Sequence, residues 1–183
     1  MEVFCDRFTA TWSIFAPGAG GFGGERGPSA PRRPDRPPER TWTVATHSRQ
    51  AALYRLLGDR HAMHIDPGAA KAAGMPRPFL HGLCTLAASL LPLADRLGVH
   101  PADLVELDAR FAAPVFPGDR LTLHGWDDAP GGTAVRFEAS DGEHHPVLSG
   151  GHARFGAAGL GTARLGQARS APGTPPRKET PDA

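Results

Sequence analysis

Cysteine is scarce in this sequence: Cys5 and Cys84 are the only two among 183 residues, and they show no framework spacing. A disulfide-stapled secreted domain is therefore not expected, and two isolated thiols suit a reducing compartment. Long hydrophobic runs are missing too, since no stretch reaches the roughly 18 consecutive apolar residues of a membrane span. Charge of one sign is not in excess. The formal net charge is +1 and no Lys/Arg-rich face stands out, which argues against a dedicated nucleic-acid binder. The N-terminus carries Glu2 and Asp6 with no basic start before an apolar run, so it does not read as a signal peptide. The closing Thr180-Pro181-Asp182-Ala183 is not a peroxisomal Ser-Lys-Leu address. These features lead to the expectation of a cytoplasmic protein with neither membrane nor nucleic acid as partner.

The length suits one well-cored domain and is too short for two full ones. The 23 Gly and 19 Pro concentrate outside the central stretch. Residues 8–15, FTATWSIF, read as one strand. The GAGGFGG string at 18–24 contains GxGxxG but runs into Glu25-Arg26-Gly27-Pro28, with no helix for it to open, so it reads as a turn and not as a dinucleotide loop. The tract at 28–40, PSAPRRPDRPPER, reads as an extended linker. Residues 41–47 alternate as a strand, with Trp42, Val44 and Thr46 on one face. Ser48 is a candidate cap for a helix whose Leu53, Leu56 and Leu57 form an apolar side and which Gly58 ends. Asp66-Pro67 starts a second short helix that Gly74 stops. From Gly82 to about Leu97 a third helix is apolar nearly all round, so it is expected to be wrapped on most sides, with Pro92 kinking or tightening it. Strands are expected near 104–116, 119–127, 132–140 and 146–155, and residues 157–183 read as a disordered tail. One long apolar helix followed by antiparallel strands implies an α+β domain whose sheet wraps the helix.

Chemistry concentrates between residues 53 and 86. Asp59 and His64 stand five apart, in a polar turn expected to lie outside the core, close enough to share a water as a general acid/base pair. Gly82 opens the apolar helix, where free backbone N–H groups and the positive dipole end can hold a developing oxyanion. His61, His64 and Asp66 are of the types that ligate metals, but a HxxH pair without a clear third ligand is a weak signal, and no metal is expected. Asp66 is better explained as a helix cap, and His144-His145 as a solvated loop.

The strings Gly58-Asp59, His64-Ile65-Asp66-Pro67, Pro78-Phe79-Leu80-His81-Gly82-Leu83-Cys84-Thr85 and Ala109-Arg110-Phe111-Ala112-Ala113-Pro114 occur in this order. Together they resemble the MaoC-like enoyl-CoA hydratase 2 family, above all the C-terminal half of double hot-dog hydratases. The resemblance implies a hot-dog fold over residues 41–156, with residues 1–27 as the remnant of a preceding repeat and 28–40 as the linker between repeats. It implies (R)-specific hydration of a trans-2-enoyl-CoA, or the reverse dehydration, by Asp59 and His64, with the Gly82 N–H on the thioester oxygen. Arg60, His61, Ala62, Met63 and Phe111 would line the acyl-CoA site. The thioester is the substrate and no cofactor is implied. The family pairs hot-dog units, so a homodimer, or a heterodimer with another hot-dog chain, is implied. One departure stands out: where the family has Asn-Pro after the catalytic Asp, this chain has His61-Ala62. A non-catalytic hot-dog subunit that binds acyl-CoA and completes a partner's site is the alternative. A hot-dog thioesterase would also use a carboxylate at a helix, but the quoted strings argue against it.

Overall fold

The structure, a computed structural model, describes residues 1–14, Gly18, Gly20, Gly21, Gly23 and residues 32–156. The expected tail at 157–183, the start of the proline-rich linker and most of the Gly-rich string lie outside the described residues. At the N-terminus β1 (Glu2–Phe4) and β2 (Thr9–Thr11) form an exposed antiparallel hairpin. The single strand expected over 8–15 is thus three residues long, and its pairing partner is the chain's own start.

The domain proper is one five-stranded antiparallel sheet and one long helix. Its elements are β3 (Arg40–Ala45), α1 (Gln50–Tyr54), α2 (Pro67–Ala72), α3 (Gly82–Leu97), β4 (Leu104–Phe111), β5 (Arg120–Asp127), β6 (Ala134–Ser140) and β7 (Pro146–Phe155). The strand order is β3-β5-β6-β7-β4, so β3 and β4 are the edges. Alternation places Trp42 and Val44 of β3 inside with Thr46 just beyond it, while Thr43 and Ala45 face out. These residues meet Leu121, Leu123, Val135, Phe137, Val147 and Leu148 of the sheet and Leu86, Leu93 and Ala94 of α3. Each such Leu or Phe contributes about 1.5–3 kcal/mol on full burial. β4 ends at Phe111, short of the expected 116, because Pro114 and the turn before Gly118 carry the chain back toward β5.

Three expectations fail on packing. Ser48 caps nothing; instead the Gln50 side chain accepts from the His47 N–H at 2.9 Å, and the His47 ring accepts from the Arg49 N–H at 3.1 Å. Leu53, Leu56 and Leu57 are exposed, because α1 is only five residues long and passes into a 3₁₀ turn over Arg55–Leu57, which rotates that side off the core. Helix α3 is continuous through Pro92 but is covered on one side only: Cys84, Thr85, Leu86, Ser89, Leu93 and Ala94 are buried, while Leu83, Ala87 and Leu91 form an open stripe at i, i+4, i+8. Among the described residues no helix is long and apolar enough to cross a membrane.

Two sets of bonds tie the loops to this frame. Arg40 forks onto both carboxylate oxygens of Asp127, at 2.8 and 2.9 Å, and gives a third bond to the Arg96 carbonyl at 3.1 Å, joining β3, β5 and the end of α3. The proline-rich stretch also docks at its end: Trp126 Nε1 donates to the Arg36 carbonyl at 2.9 Å. Thr46 donates to the Asp119 carbonyl at 2.8 Å and accepts from the Gly118 N–H at 3.0 Å, which locks the turn at 116–119. From that loop the Val115 carbonyl accepts the Leu80 N–H at 2.7 Å, fixing the chain one residue before His81.

The β6–β7 register makes a sharp test. A methyl group on Gly151, opposite Phe137, would lie 2.5 Å from the Phe137 carbonyl oxygen and 2.7 Å from its ring. Gly151→Ala should therefore cost at least the roughly 1–3 kcal/mol typical of overpacking, read as a lowered urea midpoint. A midpoint equal to the parent's would mean that the two strands are not in this register.

Candidate active site

The loop that carries the first carboxylate begins at Gly58. Its φ of +118° is open to glycine alone without strain, and it turns the chain out of the 3₁₀ segment so that Asp59 stands free of it. Asp59 is exposed, and its Oδ1 accepts the His61 backbone N–H at 3.2 Å. That amide holds the Asp59 carboxyl below the usual carboxylate range against the opposing effect of burial, with lesser help from His81, His61 and His64. Arg55 braces the same loop by donating to the Arg60 carbonyl at 3.2 Å.

His64 closes a 3₁₀ turn over Ala62–His64 and is 8% exposed, inside the structure and not in a solvated turn as the sequence suggested. The chain returns through Pro76 and Pro78, and the Phe79 carbonyl meets His64 Nδ1 at 2.9 Å. A carbonyl can only accept, so Nδ1 carries the proton, and the neutral ring presents a bare Nε2. The Phe79 ring meets the imidazole edge-on at 4.8 Å. On its other side His64 stacks against His81, with centroids 3.7 Å apart and planes tilted by 29°.

His81, the residue before α3, is 2% exposed. Its Nε2 donates to the Asp59 carbonyl at 3.2 Å, and its Nδ1 is buried without a partner. Burial first, and then the neighbouring His64, push its pKa below the ordinary 6.5. The Tyr54 ring packs on it at 4.7 Å, and burial pushes the Tyr54 phenol up, helped by Cys84 and Asp59. Cys84, buried in the first turn of α3, accepts from Gln50 Nε2 at 3.4 Å. Burial raises its pKa, so it is a packed thiol and not a poised nucleophile.

A carboxylate oxygen of Asp59 and one nitrogen from each of His64 and His81 all lie within 4.8 Å of one another. One water making two ordinary hydrogen bonds bridges partners about 4.5 Å apart, so a single water can bond both Asp59 and His64. The trio does not fit a metal. Imidazole nitrogens bind zinc in the ring plane at about 2.0–2.1 Å, and two stacked planes so little tilted cannot both contain one ion at that distance. The set weighed from sequence, His61, His64 and Asp66, is not brought together: Asp66 Oδ1 instead caps α2 through the Ala69 N–H at 2.6 Å.

Gly82 is the first residue of α3, and a methyl group there would come within 3.1–3.2 Å of the Phe111 ring. The glycine thus lets the aromatic of β4 lie directly on the helix start. Arg60, His61 and Ala62 line an open hollow with Gly58 and Asp59, whereas Met63 is half-buried and is not among its lining residues. The expected substrate-lining residues therefore fall into two groups, one beside Asp59 and one over Gly82. Sequence reasoning gave His81 and Tyr54 no role. A second imidazole adjoining the helix-opening glycine was the available signal for His81; nothing in the sequence pointed to Tyr54.

Comparison with known proteins bears on the family and the fold. The family model described as "MaoC like domain" matches residues 29–144. The peroxisomal hydratase-dehydrogenase-epimerase of Saccharomyces cerevisiae is 43% identical over 111 residues, covering 61% of this chain and 12% of that protein. Enoyl-CoA hydratase ChsH3 of Mycobacterium tuberculosis is 44% identical over 139 residues, covering 69% of this chain and 49% of its own length. The crystal structure of a MaoC-like dehydratase from Phytophthora capsici superposes with a TM-score of 0.67 at 31% identity, covering 76% of this chain and 50% of that one. The chain thus spans less than half the length of these two curated relatives. An antiparallel sheet packed on one long helix is the fold these matches share, and the chain belongs to the MaoC-like domain family, with its hot-dog fold.

Proposed function

We propose that this chain hydrates trans-2-enoyl-CoA to (R)-3-hydroxyacyl-CoA, or runs the reverse dehydration, through Asp59 and His64. Relatives named as hydratases support the reaction class. The observation that carries the assignment to this pair is that a nitrogen of His64 lies within 4.8 Å of an Asp59 carboxylate oxygen, while the Phe79 carbonyl engages Nδ1 and leaves Nε2 as the atom free to take a proton. Asp59, held ionised by the His61 amide, orients the water as an acceptor. His64 Nε2 takes one proton as the water oxygen bonds to C3 of the enoyl group. The electron pair of the C2–C3 double bond moves toward the thioester oxygen, which the Gly82 N–H at the positive end of α3 stabilises. An ionised Asp59 is a poor acid, so the proton returns to C2 from the His64 imidazolium. One water is added and neither group is changed, so the reaction calls for no redox cofactor.

Partners follow from the exposed apolar surface. The stripe Leu83, Ala87, Leu91 and the side Leu53, Leu56, Leu57 are open to solvent in the single chain. A second hot-dog unit, either another copy or a different chain, would cover them and complete the groove beside Gly82. Light scattering on the purified protein should report a dimer that carries the activity. A fully active monomer would show that no second unit is needed.

The chemistry is tested with crotonyl-CoA in an assay coupled to oxidation of the 3-hydroxyacyl product. Asp59→Asn and His64→Ala should each lose at least about 100-fold in turnover. Asp59 is exposed, so its variant should keep the parent's circular dichroism. Near-parental turnover in both would refute the mechanism. His61→Asn combined with Ala62→Pro should raise turnover by stiffening the turn; an unchanged rate would make the His61-Ala62 departure neutral. An inactive parent that binds acyl-CoA as the dimer would favour the reading of a non-catalytic subunit.

A further inference from the structure

His81 is a buried titratable group that the reaction above does not use. Two of its ring contacts reach the members of the proposed pair: Nε2 bonds the Asp59 carbonyl at 3.2 Å, and the ring face lies on His64 at 3.7 Å. The carbonyl accepts only, so Nε2 carries the proton and the neutral ring leaves Nδ1 bare. That atom is buried and has no partner, so a second proton there would be a donor without an acceptor, which burial penalises heavily. It would also place a positive charge against the face of His64.

We propose that His81 is a positioning residue: a permanently neutral imidazole that holds Asp59 by its backbone and His64 by its ring face, and so sets the spacing of the pair. The geometric half of this proposal stands on the contacts alone, while the kinetic half rests on the hydratase reading. The charged and titratable groups facing the ring are His64, Asp59, Arg55 and Tyr54. Burial, His64 and Arg55 favour the neutral form, and only Asp59 opposes it, through its charge and its carbonyl bond. The ring's surroundings therefore act in the same direction as its hydrogen bonding.

The lowered pKa has a defined effect on stability. An unfolded His81 takes up a proton as pH falls through about 6.5, and the folded one does not. Its contribution to stability is complete above that value and is lost as pH falls toward the depressed folded pKa. The melting temperature of His81→Phe should therefore fall less steeply between about pH 7 and pH 5 than that of the parent.

The test joins a spectroscopic measurement to a kinetic one. Long-range ¹H–¹⁵N correlation on the full chain with labelled histidine should show His81 as the Nε2–H tautomer, still neutral at pH 6.5. An Nδ1–H tautomer, or titration at or above 6.5, would overturn the proposal whatever the activity. His81→Gln keeps a donor for the Asp59 carbonyl and loses the ring; His81→Phe keeps a ring and loses the donor. Each should lower kcat on crotonyl-CoA about 10- to 100-fold with KM little changed, the mark of a mispositioned pair and not of lost binding. Parental kcat in a folded variant of both kinds would sink the kinetic half. An inactive parent would count against the hydratase reading, and the spectrum alone would then decide the tautomer and charge of His81.

Discussion

A single sheet can cover only one side of a helix, and that constraint organises this chain. Helix α3 turns Leu86, Leu93 and Ala94 onto the sheet and leaves Leu83, Ala87 and Leu91 outside. The burial fixes where the helix begins, and the beginning is where the chemistry lies. Its N-terminus cannot drift, because the Leu80 N–H is tied to the Val115 carbonyl and that loop to Thr46 at the end of β3. His81 and Gly82 are therefore held by the sheet across the molecule, although they are separated from it in sequence. Site rigidity here is a consequence of core packing passed through a few backbone bonds.

Two carbonyl oxygens then decide the proton positions. Phe79 engages His64 at Nδ1 and Asp59 engages His81 at Nε2, so the stacked rings are held by opposite nitrogens, and the Nδ1 of His81 is left buried without a partner. Both rings are inside, and His81 has a buried nitrogen without a partner, with burial and the neighbouring His64 pushing its pKa down. Asp59 differs from both in being exposed and stabilised as the anion by a backbone amide.

Much of this was legible in the residues, because the deciding signals were local. The bounds of α3 follow from Gly82, the apolar run and Gly98; the cap at Asp66 follows from Pro67; and the face of β3 follows from alternation at Trp42 and Val44. What escaped depended on distant partners. The β1–β2 hairpin could not be inferred from one imperfect strand pattern. The exposure of Leu53, Leu56 and Leu57 arises from a change of helix type that periodicity does not record. The burial of His64 was missed because the sequence shows a polar turn, and only the return of Pro78-Phe79 over it reveals that it is enclosed. His81 was seen as the residue before a helix, and its two contacts bridge segments 17 and 22 residues away in the chain.

The replacement of the family's Asn-Pro by His61-Ala62 bears on how the Asp59 turn is held. The bond that braces the carboxylate comes from the backbone amide of residue 61, and every residue type but proline supplies that group. Arg55 adds a bond to the carbonyl of residue 60, again independent of the side chain there. His81 adds a third, to the carbonyl of Asp59 itself. Three backbone contacts, from three directions, thus fix a loop whose two most characteristic side chains have changed. What the change removes is the stiffness of a proline at position 62 in the unbound turn, and what it leaves is the geometry. The pair's spacing rests on the Gly58 turn and the stacked histidines, and neither depends on the side chains that have been lost.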